Sequence, residues 1–244
     1  MAETLEPRPP GVLRQIPILL ALVAGFIDSC TVLALFGLFV AQVTGSFVLA
    51  AVAFVTREQG AVIKVLAIPV FLSAAAVVTV ITVVASRHGR RALVWALGFE
   101  CVVLTGFTLA AVIGEPLVNP NAMSVVIASL LGLFAMGAQS AVVRLTMRGV
   151  ASTNVMTTNT TQVAIDATEL LLAWRAWRRS RDDASAAAYL AARGRIAALL
   201  PIMLAFLIGT AAGTLAHETV GLRGLIVPLL VVYGVLAWAV ADRR

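Results

Sequence analysis

The chain has 244 residues, of which 61% are apolar and only 12% charged, with a mean hydropathy of +1.00 and a net charge of +6. A soluble domain carries roughly 25% charge, so these values exclude an ordinary globular domain. The apolar runs are continuous instead of alternating, which excludes a β-barrel and leaves an all-α, multi-pass membrane protein. The basic residues fall between apolar runs, so membrane lipids are the expected partner and nucleic acid is not.

Residues 1–15 mix Glu3 and Glu6 with Arg8, Arg14 and three prolines, and are expected to form a disordered cytoplasmic tail. A cleaved signal is disfavoured, because the apolar run that follows is too long and carries Asp28. That run, Ile16 to Val55, is forty residues with one charge. About 20 helical residues cross a bilayer, so it holds one comfortable span and a second piece that is short or broken. Strong spans are expected at Ile16–Phe36, Val62–Ser86, Ala92–Ile113, Asn121–Val143, Ile196–Ala216 and Leu222–Ala241. Leu38–Val55 and Val155–Trp174 are ambiguous, the second because Asp166 and Glu169 suit lipid poorly.

Charge decides between six crossings and eight. With six, and both termini inside, fifteen of the eighteen Lys and Arg residues lie on the inner side and only Arg57, Lys64 and Arg223 outside. Eight crossings would strand the Arg87–Arg91 cluster opposite the Arg175–Arg181 cluster. Three spans per half is odd, so the halves, 16–115 and 121–241, form one domain of two inverted repeats, each with a broken or re-entrant helix. Such repeats hold their sites near the midplane, at the breaks. The basic stretch Arg175 to Arg195 suits a short surface helix with Trp174 and Trp177 at headgroup level.

The candidate site follows from those breaks. Gln42, Thr44, Gly45 and Ser46 mark the first, and Thr157, Thr158 and Asn159 the second. Each polar cluster is expected to open a short helix, with Ser, Thr or Asn as N-cap and free N–H groups facing the interior, a setting that favours anions or polar oxygen atoms. Asp28 sits midway down the first span, either as a proton-coupling group or as a hydrogen-bond acceptor for the break. Gln139 and Ser140 occupy the matching place in the second half, and Glu100 is a second candidate for proton coupling. Arg144 is the cation best placed to reach either carboxylate or to snorkel to headgroups. Both histidines, His88 and His217, fall beside span ends, so no metal, cofactor or catalytic triad is expected. The spacing Gly209-Thr210-Ala211-Ala212-Gly213 fits close helix packing, within the chain or across a homo-oligomer seam.

These motifs carry a resemblance. Gly25-Phe26-Ile27-Asp28, the stretch Phe39 to Ser46, Gly137-Ala138-Gln139-Ser140-Ala141 and Val155-Met156-Thr157-Thr158 resemble the YoaK-like bacterial membrane proteins, a group defined as a domain of unknown function. The likeness covers essentially the whole chain. Thr44-Gly45-Ser46 stands where that family tends to Thr-Gly-Asn, and Thr158 where it often has Gly. The resemblance implies a bacterial cytoplasmic-membrane location without naming a substrate. The residues themselves favour a small channel or secondary transporter for a polar or anionic solute, with proton coupling through Asp28 and Glu100. The competing expectation is a non-transporting scaffold or accessory subunit whose polar groups only lock the bundle. An intramembrane enzyme is disfavoured, since only Ser46 with Asp28 offers a nucleophile and base.

Overall fold

A computed structural model describes residues 11–57, 60–147 and 149–242, with side chains from residue 15 onward. The tail expected over residues 1–15 falls largely outside them, as do Arg148, Arg243 and Arg244 of the charge argument. Helix α1 already begins at Gly11. The described residues are all helical, with no strand: α1 (Gly11–Ala34), α2 (Val43–Thr56), α3 (Ala61–Arg87), α4 (Ala92–Gly114), α5 (Met123–Thr146), α6 (Met156–Ser180), α7 (Asp183–Val220), a 3-10 turn (Gly221–Leu225) and α8 (Ile226–Ala241).

Five helical runs are long and apolar enough to cross a membrane: Gln15–Ala34, Ala61–Arg87, Ala92–Gly114, Met123–Thr146 and Asp183–Ala241. The last is not straight. At Gly221 (φ 63°) the chain folds back so far that a Cβ on Gly224 would lie 2.9 Å from that of Ala216. The carboxylate of Glu115, at the end of α4, accepts from Leu222 N at 3.1 Å and pins this turn.

Two pairs of parallel helices build the core. Helix α1 runs alongside α7, with Leu22 against Gly209 and Phe26 against Gly213. Helix α3 runs alongside α5, with Gly60 near Pro120 and Phe71 against Gly137. Both seams are glycine seams, and the backbones approach so closely that a methyl group would overlap a carbonyl oxygen. In membranes, where lipid is as apolar as leucine, such close packing is what holds helices together. Gly209 and Gly213 are therefore spent inside the chain. Helix α8 runs antiparallel to α4, from Glu115 beside Leu222 to Arg91 Nη1 donating to Val240 O.

Two breaks interrupt the bundle. Helix α1 stops because Phe36 (φ 55°) and Gly37 (φ 79°) turn left-handed, and Gly37 N donates back to Val32 O. After α5, Gly149 (φ 76°) does the same work. The short helices that follow differ. Helix α2 is 14 residues with Phe47, Val48, Phe54 and Val55 exposed, as a lipid-facing piece would be. Helix α6 is 25 residues, longer than the expected dip over Val155–Trp174, and packs along α7. Nor is there a separate surface helix after it. Arg181 (φ 56°) closes α6, Asp182 caps α7 by accepting from Ser185 N, and α7 then runs unbroken for 38 residues through Pro201. The stacked rings of Trp177 and Tyr189 join the two helices near this turn.

Candidate functional site

Where a helix breaks in a bilayer, the freed N–H groups need an acceptor, because lipid offers none. Asp28 supplies it for the first break. Its side chain is 3% exposed, and Oδ1 accepts from Val40 N at 2.9 Å and Ala41 N at 2.7 Å. The other oxygen, Oδ2, has no hydrogen-bond partner among the described residues. Thr44, Gly45 and Ser46 do not cap α2: Gln42 holds the N-cap position, with no side-chain cap. Ser46 is buried and donates to Phe39 O at 3.3 Å, a Cβ on Gly45 would lie 3.3 Å from the Phe39 ring, and Thr44 is exposed. This cluster braces the break.

The second break is held differently. Val155 is the N-cap residue of α6 and makes no side-chain cap. Ser152 takes the free N–H instead, accepting from Val155 N at 3.1 Å, while Asn159 Nδ2 donates to Ser152 O at 2.7 Å. Asn154, 3% exposed, ties the two breaks to each other: its Nδ2 donates to Ala41 O at 3.0 Å and to Ser140 Oγ. Gln139, fully buried, donates Nε2 to Leu20 O at 2.9 Å and so locks α5 to α1. A carbonyl can only accept, which fixes the orientation of both amides.

A cavity of about 690 Å³ opens on the α6 side of this junction. Its polar lining is Ser140, Arg144, Ser152, Thr153, Asn154, Thr158, Asn159 and Gln162, with Val143, Met147, Val150 and Leu199 among the apolar walls. The volume is that of a small-molecule pocket. A second cavity, of only about 10 Å³, lies between Leu35, Lys64 and Pro120.

Of the residues singled out in the sequence, Ser140, Arg144, Thr158 and Asn159 line this cavity. Asp28, Gln42, Thr44, Gly45, Ser46 and Gln139 are not among its lining residues, and Thr157 is exposed on the first turn of α6. Glu100 lies on α4, fully buried, with neither carboxyl oxygen hydrogen-bonded among the described residues. Arg144 pairs with neither Asp28 nor Glu100. Arg195 does find acids: it holds Asp166 at 2.6 Å and also Glu169. Gln162 is one turn before Asp166 and Leu199 one turn after Arg195, so this ion pair sits beside the cavity rim. Ser152 and Asn154 escaped the sequence reading. Their only signal is the polar run Ser152-Thr153-Asn154, three residues after Gly149, and one partner of Asn154, Ala41, lies 113 positions away.

Long apolar helices, glycine seams and polar groups gathered at two breaks define a multi-pass helical membrane protein. The chain belongs to the family described as Protein of unknown function (DUF1275), whose model matches residues 16–238. No curated protein and no solved structure matches it.

Proposed function

We propose that this protein is a small solute transporter or channel of the bacterial cytoplasmic membrane, captured open toward the cytoplasm. The observation that carries the reading is the polar cavity of about 690 Å³ that ends on Asn154, where the two helix breaks touch. A purely structural bundle has no need of an open, polar chamber at that depth.

The wider architecture in this reading is six crossings in two inverted halves, with both termini cytoplasmic. Support comes from how the helices pair. Exchanging α1 with α5, α2 with α6, α3 with α7 and α4 with α8 turns the α1–α7 seam into the α5–α3 seam and the α2–α3 packing into the α6–α7 packing. Gly25 meets Phe206 O as Gly137 meets Phe71 O. Ala41 and Asn154, each two residues before its short helix, touch each other, as equivalent positions on a two-fold axis would. Halves related in this way and meeting at broken helices are the architecture of many secondary transporters. Asn154 is then the floor of the inward-facing chamber. Proton coupling falls to Asp28 and Glu100 in this reading, and neither carboxyl oxygen of Glu100 is hydrogen-bonded among the described residues.

The test is flux in proteoliposomes across a panel of small neutral and anionic solutes, together with Asn154→Ala, which removes the floor contact. Protein-dependent flux that Asn154→Ala changes supports the reading. Folded protein that moves nothing in the panel sinks it. Topology is checked by Arg57→Cys and Arg90→Cys: an impermeant thiol reagent added outside labels the first and not the second. A scaffold role is the second reading, favoured by Asp28, which is tied to the backbone of the break. It gains if a stoichiometric membrane partner co-purifies and flux is absent.

A further inference from the structure

We propose that the cavity selects a small oxyanion, a carboxylate or phosphate group, and that Arg144 is the side chain that selects it. The inference rests on reading the chamber as a solute site and names the chemistry of that solute.

Three observations point the same way. Among the described residues the lining includes one cation, Arg144, and no acidic side chain. Arg144 is exposed and makes no ion pair among the described residues, whereas Asp166 and Glu169, beside the rim, are both taken by Arg195. The acids that would compete with an incoming anion are therefore occupied. The third concerns the hydroxyls and amides of α6. Thr160, Thr161 and Thr168 each donate to the carbonyl four residues back, at 2.9 to 3.1 Å. Thr158 and Gln162 are exposed, line the cavity and make no side-chain hydrogen bond among the described residues. They are four apart, so they share one face of α6. A guanidinium fork on α5 and two uncommitted donors on α6 make a set that a planar or tetrahedral oxyanion satisfies and a neutral solute does not. The first turn of α6 adds a field of the same sign.

The same oxyanion chemistry is offered by a free anion or by the headgroup of an acidic phospholipid, and the experiment separates them. Full-length protein in phosphatidylcholine nanodiscs is titrated with sodium phosphate, sodium acetate and glycerol, reading the thermal unfolding midpoint. Wild type is expected to respond to phosphate or acetate and not to glycerol. Arg144→Gln weakens the anion response at least about tenfold, the scale of a lost charge-assisted contact. Arg144→Lys keeps part of it, and guards against a folding defect in the first variant. If phosphatidylglycerol nanodiscs abolish the phosphate response in wild type while raising its midpoint through Arg144, the oxyanion is a headgroup; if not, it is the free anion. An Arg144→Gln protein that responds like wild type overturns the inference, as does the lack of any Arg144-dependent effect of phosphate, acetate or phosphatidylglycerol. The two proposals fail separately. Arg144-dependent binding without flux removes transport and keeps the anion site. Flux of glycerol that ignores Arg144 keeps transport and removes the anion site.

Discussion

Gly209 is the sharpest place to disturb the bundle. A Cβ there would lie 2.1 Å from Leu22 O, with the Leu22 carbonyl carbon and Cα at 2.9 and 3.0 Å. Backbone cannot swing aside as a side-chain tip can, so Gly209→Ala must part α1 from α7 locally by about 0.9 Å to bring that contact to 3.0 Å. A gap of that size forfeits roughly a quarter to a half of each dispersion contact it opens, and the seam has few other sources of attraction in lipid. The expected loss is about 2–3 kcal/mol, the upper part of the range for overpacked sites. Gly98 and Gly234 supply the control. A Cβ on either meets nothing within 4 Å, so alanine there is expected to stabilise the helix by about 0.5–1 kcal/mol. Equilibrium unfolding in detergent reads both. Gly209→Ala at or above wild-type stability would show that α1 and α7 do not meet along this glycine line.

Other substitutions probe the breaks and the helical hairpin. Asp28→Ala orphans Val40 N and Ala41 N and is expected to cost about 1–3 kcal/mol; Asp28→Asn keeps an acceptor at Oδ1 and should lose clearly less, by thermal unfolding. Equal losses would mean that the acceptor is not the role of this side chain. Arg195→Ala strips the partner from Asp166, whose side chain is 2% exposed. Because the Arg195 side chain is itself 45% exposed, the expected cost is about 1–2 kcal/mol, less than for a fully buried pair, and should shrink as salt is added. Asp182 gives a pH signature. The Ser185 N–H, aided by the hydroxyls of Ser180 and Ser185, holds its carboxyl below the ordinary range. Its contribution is therefore present above the unfolded carboxylate range and lost as pH falls through the lower folded value. Amide exchange in the first turn of α7 should quicken over that acidic window, and Asp182→Ala should remove the pH dependence.

How much of this was legible before the coordinates depends on how local each cause is. Helices α3 and α4 lie within a residue or so of their expected bounds, because each is a continuous apolar run closed by Arg87 to Arg91 or by Gly114 and Glu115. The breaks were legible too, since a carboxylate in the middle of an apolar span has to be compensated. What was misjudged is how. Thr44 and Thr157 were expected to cap their helices, yet the freed N–H groups precede those helices and are reached by Asp28 from α1 and by Ser152 from the loop. The length of α6 misled for a similar reason. Asp166 looked costly in lipid, but its neutralising cation, Arg195, comes from the next helix, 29 residues on. Asn154 was invisible because its role depends on Ala41 O, brought near only by the packing of both halves.

The central claim is that the α5–α6 cavity faces the cytoplasm and is part of the solute path. The most direct measurement places one cysteine at Thr158, in a background where the buried Cys30 and Cys101 are replaced, and treats proteoliposomes of known orientation with an impermeant thiol reagent. The account predicts modification only from the cytoplasmic face, with loss of protein-dependent solute flux as labelling proceeds. Labelling from the outer face, or full labelling that leaves flux untouched, would contradict it.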